Sequence, residues 1–272
     1  MNQGLNKQTY ESTYVAFLDI LGFKDIVLGH SHEHLESLYL RTLCGNVEHA
    51  LSNGKYVLVN DGKDDCFGPD MRQATVNSLL VSDSILIWTD DCRTASFNNI
   101  VAAVRGLIAF SVVGDILLRG AISVGPLTVV FNQLPSQTHC FQHSLFGKAI
   151  VDAVQAEKCQ EWAGCMITEP AMECYKTGCA GEITLIENKV VVPYSIPMKG
   201  GKGTAGYVID WVNHPQAGID FETVTGAFAP TPKIDRSEFE KIKSKLANTL
   251  KFVKHVKPTA DQQRRFLGQF AP

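Results

Sequence analysis

Tyr14–Val15–Ala16–Phe17–Leu18, closed by Asp19 and followed by Ile20–Leu21–Gly22–Phe23, decides how the rest of the chain is read. Five consecutive apolar residues are too few for a helix, and they show no in–out alternation. They predict a short buried strand. A carboxylate ends the run, and Gly22 sits where the chain must turn.

Working outward, Leu35, Leu38, Tyr39, Thr42, Leu43 and Val47 recur at helical spacing and predict a helix over 35–50. Tyr56–Val59 reads as a short strand closed by Asn60–Asp61–Gly62, and 61–70 as a polar loop. Residues 75–81 and 85–88 read as two strands joined by Ser82–Asp83–Ser84, a hairpin with an aspartate at its tip. A helix over 97–113, a strand over 117–124 and a helix over 144–161 complete the pattern. The order over 14–161 is β, α, (β), β-hairpin, α, β, α. It predicts an α+β fold with helices over one face of a mainly antiparallel sheet, as in the split βαβ, ferredoxin-like core.

Beyond it, 166–234 reads as strand and loop. Residues 235–256 read as a helix with Ile242, Leu246, Leu250 and Val253 on one stripe. No clean boundary separates the two parts. The expectation is a core at 14–165 and a C-terminal strand-loop-helix extension at 166–272, packed on the core and not independent.

Composition bounds the function. Among 272 residues, 25 basic side chains stand against 28 acidic ones, a net charge of −3. That argues against a protein that coats nucleic acid or an anionic membrane. Charged residues make up 19%, below the usual ~25%, so part of the surface is expected to hide against a partner. The polar start lacks an apolar signal core, and the most apolar stretch, 106–118, is short and carries Asp115. No secretory signal and no membrane span are expected. Eight cysteines without a CxxC pair read as reduced thiols, which places the chain in the cytoplasm.

Chemistry enters at three residues. Asp19 and Asp83 each end a buried strand. A carboxylate beside a core is paired, hydrogen-bonded or bound to metal. Adjacent strands would bring the two to a shared Mg²⁺ or Mn²⁺, which favour oxygen ligands. The alternative is that both cap turns or helices. Backbone N–H groups in the turn Ile20–Leu21–Gly22–Phe23 can cradle phosphate oxygens. Arg119 lies inside the apolar strand 116–125 and needs an anionic partner. Asp115 in a salt bridge would serve, and so would a phosphate, which fits the guanidinium fork.

Four segments in this order resemble a known family: Phe17–Leu18–Asp19–Ile20–Leu21–Gly22–Phe23, Val81–Ser82–Asp83–Ser84, the run Leu118–Arg119–Gly120–Ala121–Ile122–Ser123–Val124–Gly125, and Leu145–Phe146–Gly147–Lys148–Ala149. They resemble the class III nucleotidyl cyclase catalytic domain. With Val192–Pro193–Tyr194 and Tyr207–Val208–Ile209–Asp210–Trp211, the whole pattern is most similar to the bacterial Pycsar antiphage cyclases.

The resemblance implies a site. Asp19, Asp83 and the Ile20 carbonyl would hold two divalent cations, Mn²⁺ or Mg²⁺. Ile20, Leu21, Gly22 and Phe23 would cradle the triphosphate, Arg119 would contact a phosphate, and a homodimer would complete the site. The implied reaction converts UTP to 3′,5′-cyclic UMP and pyrophosphate, with CTP as the alternative substrate. A separate cyclic-nucleotide-binding effector would read the product.

The sequence departs from the family at several positions. Asn77 or Leu79 stands where adenylyl cyclases carry a base-reading Lys, and Ser144 stands near an Asp position. A smaller base is therefore expected, with Tyr56, Asn77 and Ser144 as candidates to read or stack on it; each also reads as structural. Val151 and Gln155 stand where the family has an Asn and an Arg that stabilise the transition state. Lys148, Gln155 and Lys158 share one helix face and are the candidate substitutes, or a solvated face. A non-catalytic nucleotide-binding sensor is the reading from another class. A diguanylate cyclase-like enzyme shares Phe17–Leu18–Asp19–Ile20 but needs a Gly-Gly hairpin that Val81–Ser82–Asp83–Ser84 does not supply. His30, His32 and His34 read as a polar loop, and the lysines of 235–256 as a packing or dimerisation helix.

Overall fold

The computed structural model describes residues 6–60, 65–132, 142–179, 184–228 and 236–257. The chain opens with β1 (Asn6–Ile20), then α1 (Phe23–Gly29) and α2 (His32–Ser37). A π-helical stretch, Leu38–Cys44, runs into α3 (Gly45–Leu51). Next come β2 (Tyr56–Asn60), β3 (Asp65–Pro69), the hairpin β4 (Asn77–Val81) and β5 (Ser84–Trp88), and the long α4 (Thr94–Val113). Then follow β6 (Leu118–Asn132), β7 (Gln142–Phe146), α5 (Lys148–Lys158), β8 (Gly164–Ile167), α6 (Glu169–Gly178) and α7 (Thr184–Glu187). The last elements are β9 (Val191–Pro197), β10 (Gly203–Ile209), α8 (Phe221–Ala227) and α9 (Arg236–Val256).

One sheet runs in the order β4-β5-β1-β6-β8-β10-β9, with β7 added to β6. Among the described residues only β6–β8 pairs in parallel; the other ladders are antiparallel. β1 is central because its apolar run can be buried on both faces. Tyr14, Ala16 and Leu18 point to one side and are wholly buried. On that side Tyr14 meets Phe97 of α4 at 4.9 Å, and Phe97 stacks on Tyr175 of α6 at 4.3 Å. α4 is long and apolar enough to cross a bilayer by composition alone. Its Phe97, Ile100, Val101, Val104, Leu107 and Ile108 are instead buried in this core. β8, β9 and β10 continue the sheet, so residues beyond 165 share the same core.

The α+β class and the antiparallel bias hold. Four local expectations are corrected. Helices cover both faces, not one, because α5 packs on the opposite side, where Ala149 clusters with Val15 and Trp88. Within the expected polar loop, 65–69 form β3, which pairs with β2; residues 61–64 lie outside the described residues. Ser144 belongs to strand β7, opposite Val130, and the helix begins only after Gly147. Among its described residues the segment 166–234 adds three helices, α6, α7 and α8, to the expected strands and loops.

The hairpin is as tight as the sequence implies. Val81 pairs with Ser84, leaving Ser82 and Asp83 as a two-residue turn. Ser82 adopts φ +56°, the sign that matches strand twist in such turns.

Candidate active site

The ladder register assembles the site. Asp19 of β1 stands opposite Ser84 of β5 on one side and Arg119 of β6 on the other. Residues directly opposite in an antiparallel pair project to the same face, so Arg119 meets Asp19. The hairpin tip is tied in by its main chain: Ile20 N donates to the Asp83 carbonyl at 3.0 Å. Leu21 N donates to the Leu117 carbonyl at 2.8 Å. The chain then turns through Gly22, whose φ of +77° disfavours any side chain although the space around it is open. A second glycine is required for a different reason. A Cβ on Gly120 would lie 2.7 Å from the Phe17 carbonyl, so β6 could not lie this close to β1 beside the aspartate.

Arg119 is buried, 7% exposed, and sits in a network rather than alone. Its guanidinium donates to the Glu157 carboxylate of α5 through both Nε and Nη2. Nη1 donates to the Gln160 carbonyl at 3.1 Å, and Nη2 lies 3.7 Å from Asp19 Oδ2. Gln160 is itself locked: its amide donates to the Gly120 carbonyl at 2.8 Å and its oxygen accepts from Trp162 Nε1 at 2.9 Å. The protein partner of Arg119 is thus Glu157, not Asp115. Asp115 takes a positive-φ turn position before β6 instead.

These charges act on Asp19. Burial first, and then the negative charge of Glu157 and Asp83, push its carboxyl up to about 6; Arg119 and Lys245 pull the other way. Asp19 and Asp83, whose charges act on one another, would offer hard carboxylate oxygens to a divalent cation. No group of three or more His, Cys, Asp or Glu forms a complete cage among the described residues. The remaining ligands of an ion held here would come from water or a bound phosphate, the usual mode for Mg²⁺.

The other candidate residues lie apart from this cluster within one chain. Asn77 begins β4, donates to Asp90 at 3.0 Å and stands opposite Trp88. It is at the far end of the hairpin from Asp83, with the length of β4, about 13 Å at ~3.3 Å per residue, between it and the turn. Tyr56 lies on the separate β2–β3 ribbon, its hydroxyl 2.7 Å from His49 Nδ1. Ser144 is exposed on β7. Lys148, Gln155 and Lys158 do share the outward face of α5; all three are exposed, and Lys148 pairs with Asp152.

Two inward residues were missed by the sequence reading. Ala149, Ala153 and Glu157 recur every four residues on the buried stripe of α5. A carboxylate completing a stripe of alanines was the available signal for Glu157. Lys245 on α9 had no such signal, since only the docking of α9 brings its charge to bear on Asp19.

No family model matches the chain, and no curated protein matches it. Solved structures do. The catalytic core of a rhodopsin-guanylyl cyclase with converted specificity, in complex with ATPαS, is similar with a TM-score of 0.51 and 16% identity, covering 77% of this chain and 99% of that one. A non-canonical dimeric guanylyl cyclase domain of the aquatic fungus Blastocladiella emersonii matches at TM-score 0.48 and 16% identity, over 75% of this chain and 97% of that one. The guanylate cyclase domain of Catenaria anguillulae in complex with GTP matches at 0.47 and 17%, over 74% and 97%. The first likeness carries the architecture: this chain has the fold of class III nucleotidyl cyclase catalytic domains.

Proposed function

We propose that the chain is a cytoplasmic nucleotidyl cyclase that converts UTP to 3′,5′-cyclic UMP and pyrophosphate, a signal for antiphage defence read by a separate effector. The observation that supports it is the register that sets Asp19 against Arg119, with the Asp83 main chain bonded to Ile20, in a fold shared with cyclase domains. Asp19, Asp83 and the Ile20 carbonyl would hold two divalent cations, Mn²⁺ or Mg²⁺. Bound there, such ions make the ribose 3′-hydroxyl a better nucleophile and neutralise phosphate charge. The 3′-hydroxyl gives its proton to solvent, its oxygen forms a bond to the α-phosphorus, the bond from that phosphorus to the β-bridging oxygen breaks, and pyrophosphate leaves. The turn from Ile20 to Phe23 orients the triphosphate through its N–H groups, and Arg119 fixes a phosphate.

Asn77, Ser144 and the outward face of α5 lie apart from Asp19 within one chain, so in this reading they serve the site of a second copy. A homodimer then places them over the nucleotide. The absence of a large purine-reading acid favours a pyrimidine, with CTP next after UTP.

The test is incubation with each of the four nucleoside triphosphates and Mn²⁺, with products separated by chromatography. Cyclic UMP is expected, and Asp19→Asn and Asp83→Asn should each lower turnover about a thousandfold, ~4 kcal/mol of barrier. Cyclic CMP alone would reassign the base, and no cyclic nucleotide from any substrate would overturn the reading. One observation favours a second reading, a non-catalytic nucleotide binder. Val151 and Gln155 lie exposed where an Asn and an Arg would stabilise the transition state. Tight nucleotide binding without turnover is its signature.

A further inference from the structure

We propose that Lys245, on the C-terminal helix α9, is a phosphate-contacting residue of the nucleotide site, carried there by the extension. This rests on the reading that the site takes a nucleoside triphosphate.

The geometry comes from how α9 is anchored. Thr249 Oγ1 accepts from Ala163 N at 2.9 Å, and Asn248 donates to the Glu161 carbonyl at 2.9 Å. Phe252 packs edge-on against Trp162 at 4.9 Å. These contacts hold α9 on the segment that enters β8. The first residue of β8, Gly164, stands opposite Arg119 in the parallel ladder. The same segment supplies the Gln160 carbonyl to the Arg119 guanidinium.

Lys245 lies one turn before Thr249, whose hydroxyl donates to the Lys245 carbonyl at 2.8 Å. Positions 245, 248, 249 and 252 follow the i, i+3, i+4, i+7 spacing of one helix face. Lys245 therefore belongs to the docked face. It is half-buried, whereas Lys241, Lys243, Lys251 and Lys254 of the same helix are exposed. A lysine stem laid along a packed surface carries its ammonium to the rim. The surface under that face is the 160–164 segment, which meets Arg119 through the Gln160 carbonyl and the Gly164 register, and the Lys245 charge favours the ionised Asp19 carboxyl.

Charge arithmetic gives the position a purpose. Asp19 and Glu157 share Arg119, Asp83 adds its charge beside Asp19, and Glu157 already engages the arginine from the buried side. A triphosphate adds further negative charge. A lysine acts as a compact point charge toward phosphate oxygens and needs no planar match.

The probe is inorganic tripolyphosphate with Mn²⁺, measured by calorimetry on the full chain, beside KM and kcat for whichever nucleotide is cyclised. Lys245→Gln and the apolar, similar-length Lys245→Met should each weaken tripolyphosphate binding about tenfold and raise KM more than they lower kcat, without shifting the melting temperature. Lys245→Arg should restore most of the affinity. Lys243→Gln, on the exposed face, should bind like the wild type. The difference should shrink in high salt, as screening requires. If Lys245→Gln and Lys245→Met, folded as judged by melting, bind tripolyphosphate like the wild type, the assignment is wrong. A wild-type protein that binds tripolyphosphate through Lys245 but cyclises nothing upholds the contact and overturns the cyclase reading. A wild-type cyclase indifferent to Lys245 does the reverse.

Discussion

The two faces of β1 are built from the same short run and do opposite jobs. On one, Tyr14, Ala16 and Leu18 are wholly buried under α4 and its neighbours. On the other, Val15 is sealed with Trp88 and Ala149, Phe17 is half-buried, and Asp19 opens onto the hairpin tip. Helix α5 covers only part of this second face. Val81 beside it and Val151 on its outer surface remain more than half exposed. The contrast shows where the fold stores its stability and where it tolerates frustration. Asp19 keeps a carboxyl that burial and neighbouring charge disfavour, because the core that holds the sheet together lies on the other side.

The largest expected effect probes the buried ion pair of the second face. Glu157→Ala leaves the buried Arg119 without its main counter-charge. It should cost about 3–5 kcal/mol in urea unfolding, as for other broken buried pairs. A loss below ~1 kcal/mol would show that Arg119 is solvated or re-paired. Next comes a paired test of the faces themselves. Leu18→Ala should cost about 3 kcal/mol, and Phe17→Ala about 1 kcal/mol, since only the first removes a fully packed side chain. Equal losses would break the comparison.

A smaller effect comes from acid on the core side. His214 packs against Phe110 at 5.1 Å, and burial, with the charge of Arg105 and His49, lowers its pKa to about 4. Above pH ~6.5 the imidazole is neutral in both states. As pH falls from there toward 4, the unfolded chain gains the proton first, so stability declines across that window and levels off below it. Solvent screening keeps the loss on the order of 1 kcal/mol. His214→Phe should flatten this part of the pH profile in thermal melts. The smallest effect is Val151→Ser, an exposed site expected to change monomer stability by less than ~0.5 kcal/mol. If the uncovered face joins two copies, the same substitution should nonetheless weaken self-association in sedimentation runs.

Much of this was legible beforehand where a local rule and the global fold agree. The apolar run of β1 and the hairpin around Asp83 carried their own strand and turn signals; the hairpin stands, while the strand is far longer than its apolar run, Asn6–Ile20. Ser144 was misread because helix and short strand share an apolar pattern, and only pairing with β6 decided between them. β3 was missed because Asp65–Cys66–Phe67–Gly68–Pro69 has neither strong β-propensity nor alternation; its partner β2 supplies the order. Arg119 was recognisable as a charge needing an anion, but its partner lies 38 residues away on another element.

The sequence by itself determined the strand that ends in Asp19, the turn at Gly22, the hairpin that presents Asp83 and the need for a counter-charge at Arg119. Those features rest on neighbours in the chain: periodicity, turn chemistry and the cost of an unpaired charge. Only the tertiary structure decided that Glu157 meets Arg119, that α5 takes the second face of the sheet and that α9 docks on the segment leading into β8. These depend on which ladders pair and which helix docks where. Such contacts are made between residues far apart in sequence, and no local pattern encodes their meeting.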